Sequence, residues 1–310
     1  MFDDVLDDVL DDVLNESRTM TESRSGTSLK ARISAALTAE GLKPLHRLGQ
    51  NFMIEESAVA AMVAAAAPAP GIRIVEVGPG TGVLTERFLA AGATVLAVEL
   101  DQGLHGFLTR TLVPLGLQLV HGDALATKNR LHPAIEEFAA AEPWRLASNL
   151  PYDVALPVIL DAIALPNPPE RVVVTIQKEA AQRLVSRPGD DAWGATAAVL
   201  QAAGTPRLVK HLSPACFFPQ PRVDSAILTW QPERPLPVGF GRWCRDVFAY
   251  RRKVLPGALR DAGLPRADAD AACAACQMNP QRRLEDLTSM ELVTLFTACA
   301  AARTSSGVSK

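Results

Sequence analysis

The sequence predicts an α/β protein with a mostly parallel sheet, followed by a small all-helical domain. Short β-branched runs alternate with helical patterns between residues 29 and 230, as they do in repeated strand–helix–strand units whose strands lie parallel. A proline-rich segment over 231–239 then marks a boundary, and the pattern beyond it is helical as far as Arg303. We therefore expect one α/β domain and one helical domain.

Each predicted element has a local signal. The first helix begins at Leu29 and ends at Gly41, and a helix over 81–92 follows the first strand. The predicted strands are the β-branched runs 72–77, 94–100, 117–121, 144–148, 171–177 and 223–230. The predicted C-terminal helices cover 240–263, 265–276 and 289–302.

The acidic charge of the chain is concentrated at its N-terminus. Residues 1–30 hold eight acids and three bases, a net of −5, which leaves 28 bases against 26 acids in residues 31–310. This acidic part repeats "DDVL" three times and is too short and too charged to hold a helix alone. We therefore expect a disordered extension, which could lie upstream of a true start at Met20, and a partner-binding helix is the alternative. The predicted domains are a disordered extension over 1–28, the α/β domain over 29–235, the helical domain over 236–303 and a disordered tail over 304–310.

Composition favours a soluble, unsecreted protein of the cytoplasm. No apolar stretch reaches the roughly 18 residues of a membrane span, and the N-terminus lacks the layout of a signal peptide. Five cysteines, an odd number, indicate reduced thiols. Cys273 and Cys276 form one C-x-x-C without a second ligand pair, so we expect buried thiols on a helix and no metal site.

The segment "VEVGPGTG", Val75 to Gly82, follows a strand and opens a helix, which is the setting of a nucleotide-binding glycine loop. Gly78 and Gly80 would let the backbone approach a ligand closely. Val83 stands where a dinucleotide-binding loop has its last glycine, and Glu76 would place an acid near a pyrophosphate. The loop therefore favours a ligand that lacks phosphate and carries positive charge.

Two acids close the next two predicted strands. Glu99 could accept hydrogen bonds from both hydroxyls of a ribose, and Asp123, followed by Ala124, could accept one from an adenine amino group. Solvated strand caps are the alternative for each acid taken alone. Together with the glycine loop they favour an adenosine pocket, and the arrangement resembles a Rossmann-like, S-adenosylmethionine-dependent methyltransferase.

The fourth strand ends in "NLPY", Asn149 to Tyr152, a polar turn between two apolar runs. It resembles the motif of enzymes that methylate exocyclic amino groups of bases. The Asn149 amide oxygen and the Leu150 carbonyl would accept the two N–H bonds of an adenine amine and direct its lone pair. Pro151 would stiffen the turn, and Tyr152 would stack on the extruded base. An ordinary strand-to-helix turn with Asn149 as N-cap is the alternative.

Four further segments resemble one family, the ribosomal RNA adenine N6-dimethyltransferases of the KsgA (RsmA) type. They are "HRLGQNFM" (46–53), "QKEAAQRLVSRPGDDAWGATAAVLQ" (177–201), "FFPQPRVDSAIL" (217–228) and "FAYRRKVLPGAL" (248–259). The resemblance runs from Gly41 to Phe296. It implies a Rossmann-like class I methyltransferase with a mostly parallel seven-stranded sheet, plus a small all-helical C-terminal domain. His46, Trp193 and Pro256 depart from the family pattern. These departures affect the expected contacts with RNA rather than the expected chemistry.

The resemblance also implies the site residues. The target base would be held by Asn149, Leu150, Pro151, Tyr152 and Phe217, with Phe217 stacking opposite Tyr152. S-adenosylmethionine would contact Gln50, Asn51, Met53, Gly78, Gly80, Glu99, Asp123, Ala124 and Asn149. RNA would contact the basic residues Arg222, Arg242, Arg245, Arg251, Arg252 and Lys253, for which solvated helix faces are the alternative.

The implied function is dimethylation of the N6 amino groups of two adjacent adenosines in a hairpin loop near the 3′ end of small-subunit (16S) ribosomal RNA. The implied enzyme is a cytoplasmic monomer that acts on a pre-30S particle during ribosome biogenesis. Two alternatives stay open: an erythromycin-resistance type methylase of large-subunit ribosomal RNA, and a non-catalytic nucleic-acid-binding assembly factor on the same fold. The segment "RPGDDAWG" favours the small-subunit enzyme, and the retained Glu99, Asp123, Asn149 and Tyr152 argue against lost chemistry.

Overall fold

The computed structural model describes residues 28–127 and 130–305. The "DDVL" repeats, almost all of the predicted extension and most of the predicted tail lie outside these residues. The strands are β1 (Phe52–Met53), β2 (Arg73–Val77), β3 (Thr94–Glu99), β4 (Gln118–His121), β5 (Leu125–Thr127), β6 (Arg130–Leu131), β7 (Arg145–Asn149), β8 (Arg171–Gln177), β9 (Gly204–Leu212), β10 (Phe217–Phe218) and β11 (Ser225–Pro232). The α-helices are α1 (Leu29–Ala39), α2 (Glu56–Ala66), α3 (Val83–Ala90), α4 (Gln102–Thr111), α5 (Pro133–Ala141), α6 (Tyr152–Ile163), α7 (Lys178–Leu184), α8 (Ala195–Ala203), α9 (Phe240–Phe248), α10 (Leu255–Asp261), α11 (Arg266–Ala275) and α12 (Ser289–Ser305).

Seven of the described strands form one sheet in the order β4-β3-β2-β7-β8-β11-β9. Neighbours from β4 to β8 run parallel, and β11 runs antiparallel to β8. The predicted mostly parallel, seven-stranded sheet is therefore confirmed. The strand order reverses between β2 and β7, and open α/β sheets bind their ligands outside the carboxyl ends of the strands at such a point.

One strand of this sheet, β9, has no counterpart among the six predicted strands. It contains Pro206, and a proline lowers the expectation of a strand because it cannot donate a ladder hydrogen bond. β9 lies at the edge of the sheet, where one side of a strand needs no partner and proline is tolerated. The other six strands each coincide with their prediction to within two residues at either end.

The two-residue alternation of the strands decides which side chains reach the ligand end of the sheet. Ile74, Ala97 and Ala147 pack into one hydrophobic core with residues of helices α1 to α4. Side chains two positions apart on a strand share a face. The residues two positions on, at the ends of β2, β3 and β7, are Glu76, Glu99 and Asn149. One face of the sheet therefore presents three polar groups at its carboxyl end.

The chain divides into two compact units. The first comprises the described residues up to 181 together with 207–231, and the second comprises 182–206 and the described residues from 232 onward. The boundary near 231 is close to the predicted limit at 235, but 182–206, which we assigned to the α/β domain, belongs to the helical unit. Helix α8 in this segment buries six of its nine residues, as a helix apolar on nearly all sides requires.

The predicted helix over 240–263 is interrupted in the structure, since α9 ends at Phe248 and α10 begins only at Leu255. The intervening turns are tied to another part of the helical unit, because the Leu255 N–H donates to the Arg282 carbonyl at 3.0 Å. Pro256 falls in the first turn of α10, where its missing N–H needs no partner. Helix α12 ends at Ser305, two residues into the predicted disordered tail.

Two smaller sequence predictions concern thiols and membranes. Cys273 is buried within α11, whereas Cys276 is partly exposed and its Sγ lies 3.7 Å from the Thr294 carbonyl oxygen, to which it donates. None of the helices in the described ranges is long and apolar enough to cross a membrane.

Candidate active site

A cavity of about 250 Å³ lies at the carboxyl ends of β2, β3 and β7. It brings together every residue that the sequence predicted to contact cofactor or target base. These residues are Gln50, Asn51, Met53, Gly78, Gly80, Glu99, Asp123, Ala124, Asn149, Leu150, Pro151, Tyr152 and Phe217. Their individual roles stay predictions, but segments far apart in the chain meet at one place.

The glycine loop between β2 and α3 adopts backbone conformations that other residues avoid. Gly78, Gly80 and Gly82 have φ values of +65°, +61° and +81°. A Cβ atom on Gly80 would lie 2.9 Å from the Phe52 ring, and one on Gly82 would lie 2.5 Å from the Leu112 side chain. The last two positions therefore need glycine for space as well as for conformation.

Glu99 is buried at the end of β3 and holds the glycine loop by hydrogen bonds. Its Oε2 accepts from the Gly80 N–H at 3.1 Å, and its Oε1 accepts from the Asp101 N–H at 2.8 Å. Burial raises the pKa of Glu99 to about 7, although these hydrogen bonds oppose the rise. Because a carboxylate oxygen can accept more than one hydrogen bond, Glu99 can still accept from ribose hydroxyls.

Glu76 is the second buried acid of the cavity. Its Oε2 accepts a hydrogen bond from the Thr85 hydroxyl of α3, with 2.6 Å between the oxygens. Burial raises the pKa of Glu76 to about 8, the Thr85 hydroxyl opposes the rise, and the charge of Glu99 adds to it. A cationic ligand beside these two acids would favour their charged forms, which agrees with the positive ligand that the loop predicts.

Asp123 and Gln50 contribute in different ways. Asp123 is exposed, and its Oδ1 accepts from the Leu125 N–H at 2.9 Å, which leaves Oδ2 without a partner among the described residues. Gln50 accepts from the Leu45 N–H at 2.8 Å and donates to Asp101 Oδ2 at 3.0 Å. Asp123 can therefore accept from a ligand, whereas Gln50 in this structure positions the segment that leads into the cavity.

The amide of Asn149 has a fixed orientation. Its Nδ2 donates to the backbone carbonyl of Asn51 at 2.8 Å, which fixes the direction of the amide, and its Oδ1 has no partner among the described residues. Residues 46–53, which lead into the cavity, also pack against the turn that follows Asn149, since a Cβ atom on Gly49 would lie 3.3 Å from Pro151 Cβ. The Asn149 amide is thus oriented by the backbone of Asn51, and its oxygen stays available to a ligand.

Tyr152 is held by a residue that the sequence prediction missed. Its hydroxyl forms a hydrogen bond with Ser225 Oγ, at 2.6 Å, and Ser225 is fully buried at the start of β11. Burial raises the pKa of Tyr152, and the bond to Ser225 opposes the rise. The ring is therefore fixed at its hydroxyl end as well as at its backbone. The "VDSA" segment was visible in the sequence, but nothing there indicated its contact with the turn.

Phe217 lines the cavity but shows little open surface. Its side chain is 1% exposed and belongs to the hydrophobic core, and its backbone pairs with Met53 across the short β1–β10 ladder. The structure therefore leaves little of the ring open to a base. Its stacking role stays a prediction.

Ser148 and Thr81 are further residues that the sequence prediction missed. Ser148 is fully buried, and its Oγ accepts from the Val77 N–H at 3.1 Å and donates to the Val77 carbonyl. It thereby joins β7 to β2 beyond Val75 and Leu146, the last pair of their backbone ladder. Thr81 lines the cavity, and its buried Oγ1 has no hydrogen-bond partner among the described residues.

The chemistry of these groups fits S-adenosylmethionine. Glu99 and Asp123 offer acceptors for ribose hydroxyls and an adenine amine, and the buried acids Glu76 and Glu99 suit a positive charge. The orphaned hydroxyl of Thr81 suits a polar ligand group, since an unpaired buried polar group costs about 1–3 kcal/mol.

The residues predicted to contact RNA differ in how the protein uses them. Arg222, Arg242, Arg245 and Arg252 are exposed and have no partner among the described residues. Arg251 donates to the Trp193 carbonyl at 2.6 Å and forms an ion pair with Glu285 at 3.5 Å. Lys253 is paired with Asp261. Two of the basic residues predicted to contact RNA, Arg251 and Lys253, therefore hold other parts of the protein in this structure.

Comparison with known proteins identifies the family. Residues 42–301 match the family described as Ribosomal RNA adenine dimethylase. The Ribosomal RNA small subunit methyltransferase A of Deinococcus radiodurans is 36% identical over 260 residues, which cover 83% of this chain and 86% of the relative. The protein of the same name from Geobacter metallireducens is 34% identical over 274 residues, 86% of this chain and 98% of the relative. The protein of that name from Opitutus terrae is 39% identical over 229 residues, 71% of this chain and 80% of the relative.

Solved structures agree on the fold. A dimethyladenosine transferase from Plasmodium falciparum superposes with a TM-score of 0.68 at 18% identity, covering 81% of this chain and 98% of that one. The 23S rRNA methyltransferase ErmE superposes with a TM-score of 0.60 at 21% identity, covering 81% and 100%. At these identities the two structures support the Rossmann-like methyltransferase fold alone. The resemblance seen in the sequence motifs is confirmed by the family match, and the chain belongs to the ribosomal RNA adenine dimethylase family.

Proposed function

We propose that this protein dimethylates the N6 amino groups of two adjacent adenosines in a hairpin loop near the 3′ end of small-subunit ribosomal RNA, using S-adenosylmethionine. The observation that carries the proposal is the fixed amide of Asn149, whose nitrogen is engaged by the Asn51 carbonyl while its oxygen stays available. The small-subunit target is supported by the names of relatives at 34% to 39% identity.

The proposed chemistry depends on orienting a weak nucleophile. The lone pair of an adenine amine is delocalised into the ring, so it must be directed out of the ring plane to react. The Asn149 oxygen and the Leu150 carbonyl would each accept one N–H bond, which holds that lone pair and stabilises the charge that develops on nitrogen. S-adenosylmethionine, when bound, supplies an electrophilic methyl group. Tyr152 would offer its ring face to the extruded base.

The proposal includes a partner and a location. A hairpin loop suits the site because its bases are unpaired and are extruded at little cost. We propose a monomer that acts on a pre-30S particle in the cytoplasm, with phosphate contacts from Arg222, Arg242, Arg245 and Arg252. Arg251 and Lys253 would have to exchange their present partners before they could contact RNA.

The decisive experiment maps dimethyladenosine in both ribosomal RNAs of a strain that lacks this protein. We expect two adjacent dimethyladenosines to disappear from small-subunit RNA, and to return with the parent protein but not with Asn149→Ala. Loss from large-subunit RNA instead would favour the erythromycin-resistance type of enzyme. Unchanged methylation of both RNAs would favour a non-catalytic assembly factor.

A further inference from the structure

The helical unit contains a second cavity, of about 330 Å³, which the proposed chemistry does not use. It lies among helix α9, the end of α10 and helix α12, and residues of this unit alone line it. Its volume falls within the range of about 300–1,000 Å³ that is typical of small-molecule sites. The cavity is therefore large enough to receive one flat ring.

Two partly exposed aromatic side chains line this cavity. Trp243 of α9 and Phe296 of α12 have ring centroids 5.5 Å apart, with their planes tilted by 58°. The fully buried Phe240 lies 6.0 Å from Trp243 in a stacked arrangement and supports it from the core. Two aromatic side chains, of a kind that usually packs into a core, are thus partly exposed side by side in this cavity.

Positive charge lies beside these rings. Arg242 lines the cavity, is exposed and has no partner among the described residues. Arg303 also lines the cavity, and Asp246 contributes the one carboxylate among the lining residues. Arg245 lies on the same helix, three residues after Arg242, and is exposed. The cavity therefore combines flat apolar surface with two guanidinium groups and one acceptor.

We propose that this cavity binds one unpaired nucleotide of the RNA substrate, with the base against Trp243 and Phe296 and its phosphate on Arg242. Single-stranded RNA is bound in this way elsewhere, by stacking on aromatic rings and by guanidinium contacts to the backbone. Asp246 would accept a hydrogen bond from a base edge or a ribose hydroxyl. The inference rests on the proposed function in taking RNA as the substrate, but it concerns a different part of the chain.

The four tryptophans provide a direct probe. Trp144, Trp193 and Trp230 are at most 1% exposed, so Trp243 is the tryptophan that a bound ligand can contact. We expect a six-nucleotide single-stranded RNA to quench the tryptophan fluorescence of the full-length protein, with weaker quenching at higher salt. A duplex of the same length should quench much less, because its bases are stacked within the helix. Equal quenching by duplex RNA, or none by single strands, would overturn the proposal.

Variants separate this cavity from general charge attraction. Arg242→Gln should weaken binding of the single strand and lower the slope of log affinity against log salt by about 0.7, the value for one phosphate contact on single-stranded nucleic acid. Arg266→Gln is the matched control, because Arg266 is an exposed arginine whose side chain is 80% accessible, on another helix of the same unit. Equal effects of the two variants would contradict the proposal.

A further pair of variants tests stacking. Trp243→Ala should weaken binding of the single strand about 5- to 150-fold by filter binding, the effect of losing one base stack, and Trp243→Phe should restore most of it. If Trp243→Ala does not fold, the binding measured for Arg242→Gln and the fluorescence quenching of the parent protein still test the proposal. Quenching by polyglutamate as strong as by RNA would instead indicate an acidic protein partner and reject the nucleotide. Dimethyladenosine mapping is independent of these assays, so either proposal can fail while the other stands.

Discussion

The cavity at the strand ends and the basic surface of the helical unit hold their polar groups in different ways. In the cavity, Glu99, Gln50 and Asn149 are each fixed by hydrogen bonds to backbone groups or to a neighbouring side chain. On the helical unit, Arg242 and Arg252 are exposed, with no described partner. A group that must meet one particular ligand atom is held rigidly, whereas a group that meets a phosphate need not be. Rate should therefore depend on the first region and salt-dependent affinity on the second.

The largest effect is expected at Asn149. Asn149→Ala should lower turnover about 10²- to 10³-fold, by analogy with the loss of one preorganised hydrogen-bonding group at a reacting centre, with little change in RNA affinity. Methyl transfer to immature small subunits and binding to them should be measured in parallel. Asn279→Ala, at an exposed turn residue, is the control. A wild-type rate for Asn149→Ala would refute the proposed role of its amide.

Glu76 should give the parent protein a pH-dependent stability. Its pKa is raised from 4.5 to about 8, so the folded state binds this proton more tightly, and the contribution is lost as pH rises from 4.5 through 8. One pKa unit corresponds to about 1.4 kcal/mol, so the contribution amounts to a few kcal/mol at most. Urea unfolding of the ligand-free protein at pH 5 and pH 8.5 should show a smaller decline for Glu76→Gln than for the parent. Identical declines would exclude the effect.

Glu99 should control cofactor affinity. Glu99→Ala should weaken S-adenosylmethionine binding by about 1.5–3 kcal/mol, the range for hydrogen bonds to a charged group. Glu99→Gln keeps one acceptor oxygen for the Gly80 N–H and should lose less. Calorimetry on folded variants gives both values, and unchanged affinity in Glu99→Ala would remove this residue from the cofactor site.

Arg251 and Arg252 are adjacent but should behave differently. Arg251→Gln removes donors to the Trp193 and Asp191 carbonyls and should lower the free energy of unfolding by about 1–2 kcal/mol, since the group is partly exposed. Arg252→Gln should change stability by less than about 0.5 kcal/mol, as an exposed substitution does. Chemical denaturation measures both, and equal values would remove the distinction between the two residues.

A modest effect on turnover is expected from the hydrogen bond between Ser225 and Tyr152. Ser225→Ala and Tyr152→Phe remove the same hydrogen bond, so each should lower turnover modestly, and the second change should add little to the first. The coupling expected from a double-mutant cycle is about 0.5–1.5 kcal/mol. Ser225→Thr should restore most of the rate, while Tyr152→Ala should be much worse than Tyr152→Phe. Fully additive losses would show that Ser225 does not act through Tyr152.

The sequence predicted the part of the site that follows from strand ends. Glu99 and Asn149 could be placed because the carboxyl ends of parallel strands meet at one edge, and the glycine loop marks that edge. Ser148 and Ser225 could not be placed, because their contacts join strands whose pairing is a property of the assembled sheet. The edge strand β9 was not predicted for the same reason. It contains Pro206, and whether a strand tolerates proline depends on its neighbours in the sheet.

The basic cluster shows a second limit. Arg251 and Arg252 are indistinguishable in sequence, and only the folded helical unit assigns one of them to the Trp193 carbonyl. The C-terminal helices were predicted as a pattern, but the interruption between Phe248 and Leu255 depends on backbone hydrogen bonds to residues near 282. Local periodicity carries no information about such distant partners.

The acceptor that orients Asn149 is a backbone carbonyl, and this has a genetic consequence. No substitution at Asn51 can delete that carbonyl, so an acceptor for the Asn149 amide is present whatever side chain a mutation places there. A one-residue insertion or deletion between Leu45 and Met53 would instead move the carbonyl away from its donor. In a screen for loss of methylation, lesions between Leu45 and Met53 that act through this contact should be changes of length rather than changes of residue, whereas at Asn149 a change of residue is enough.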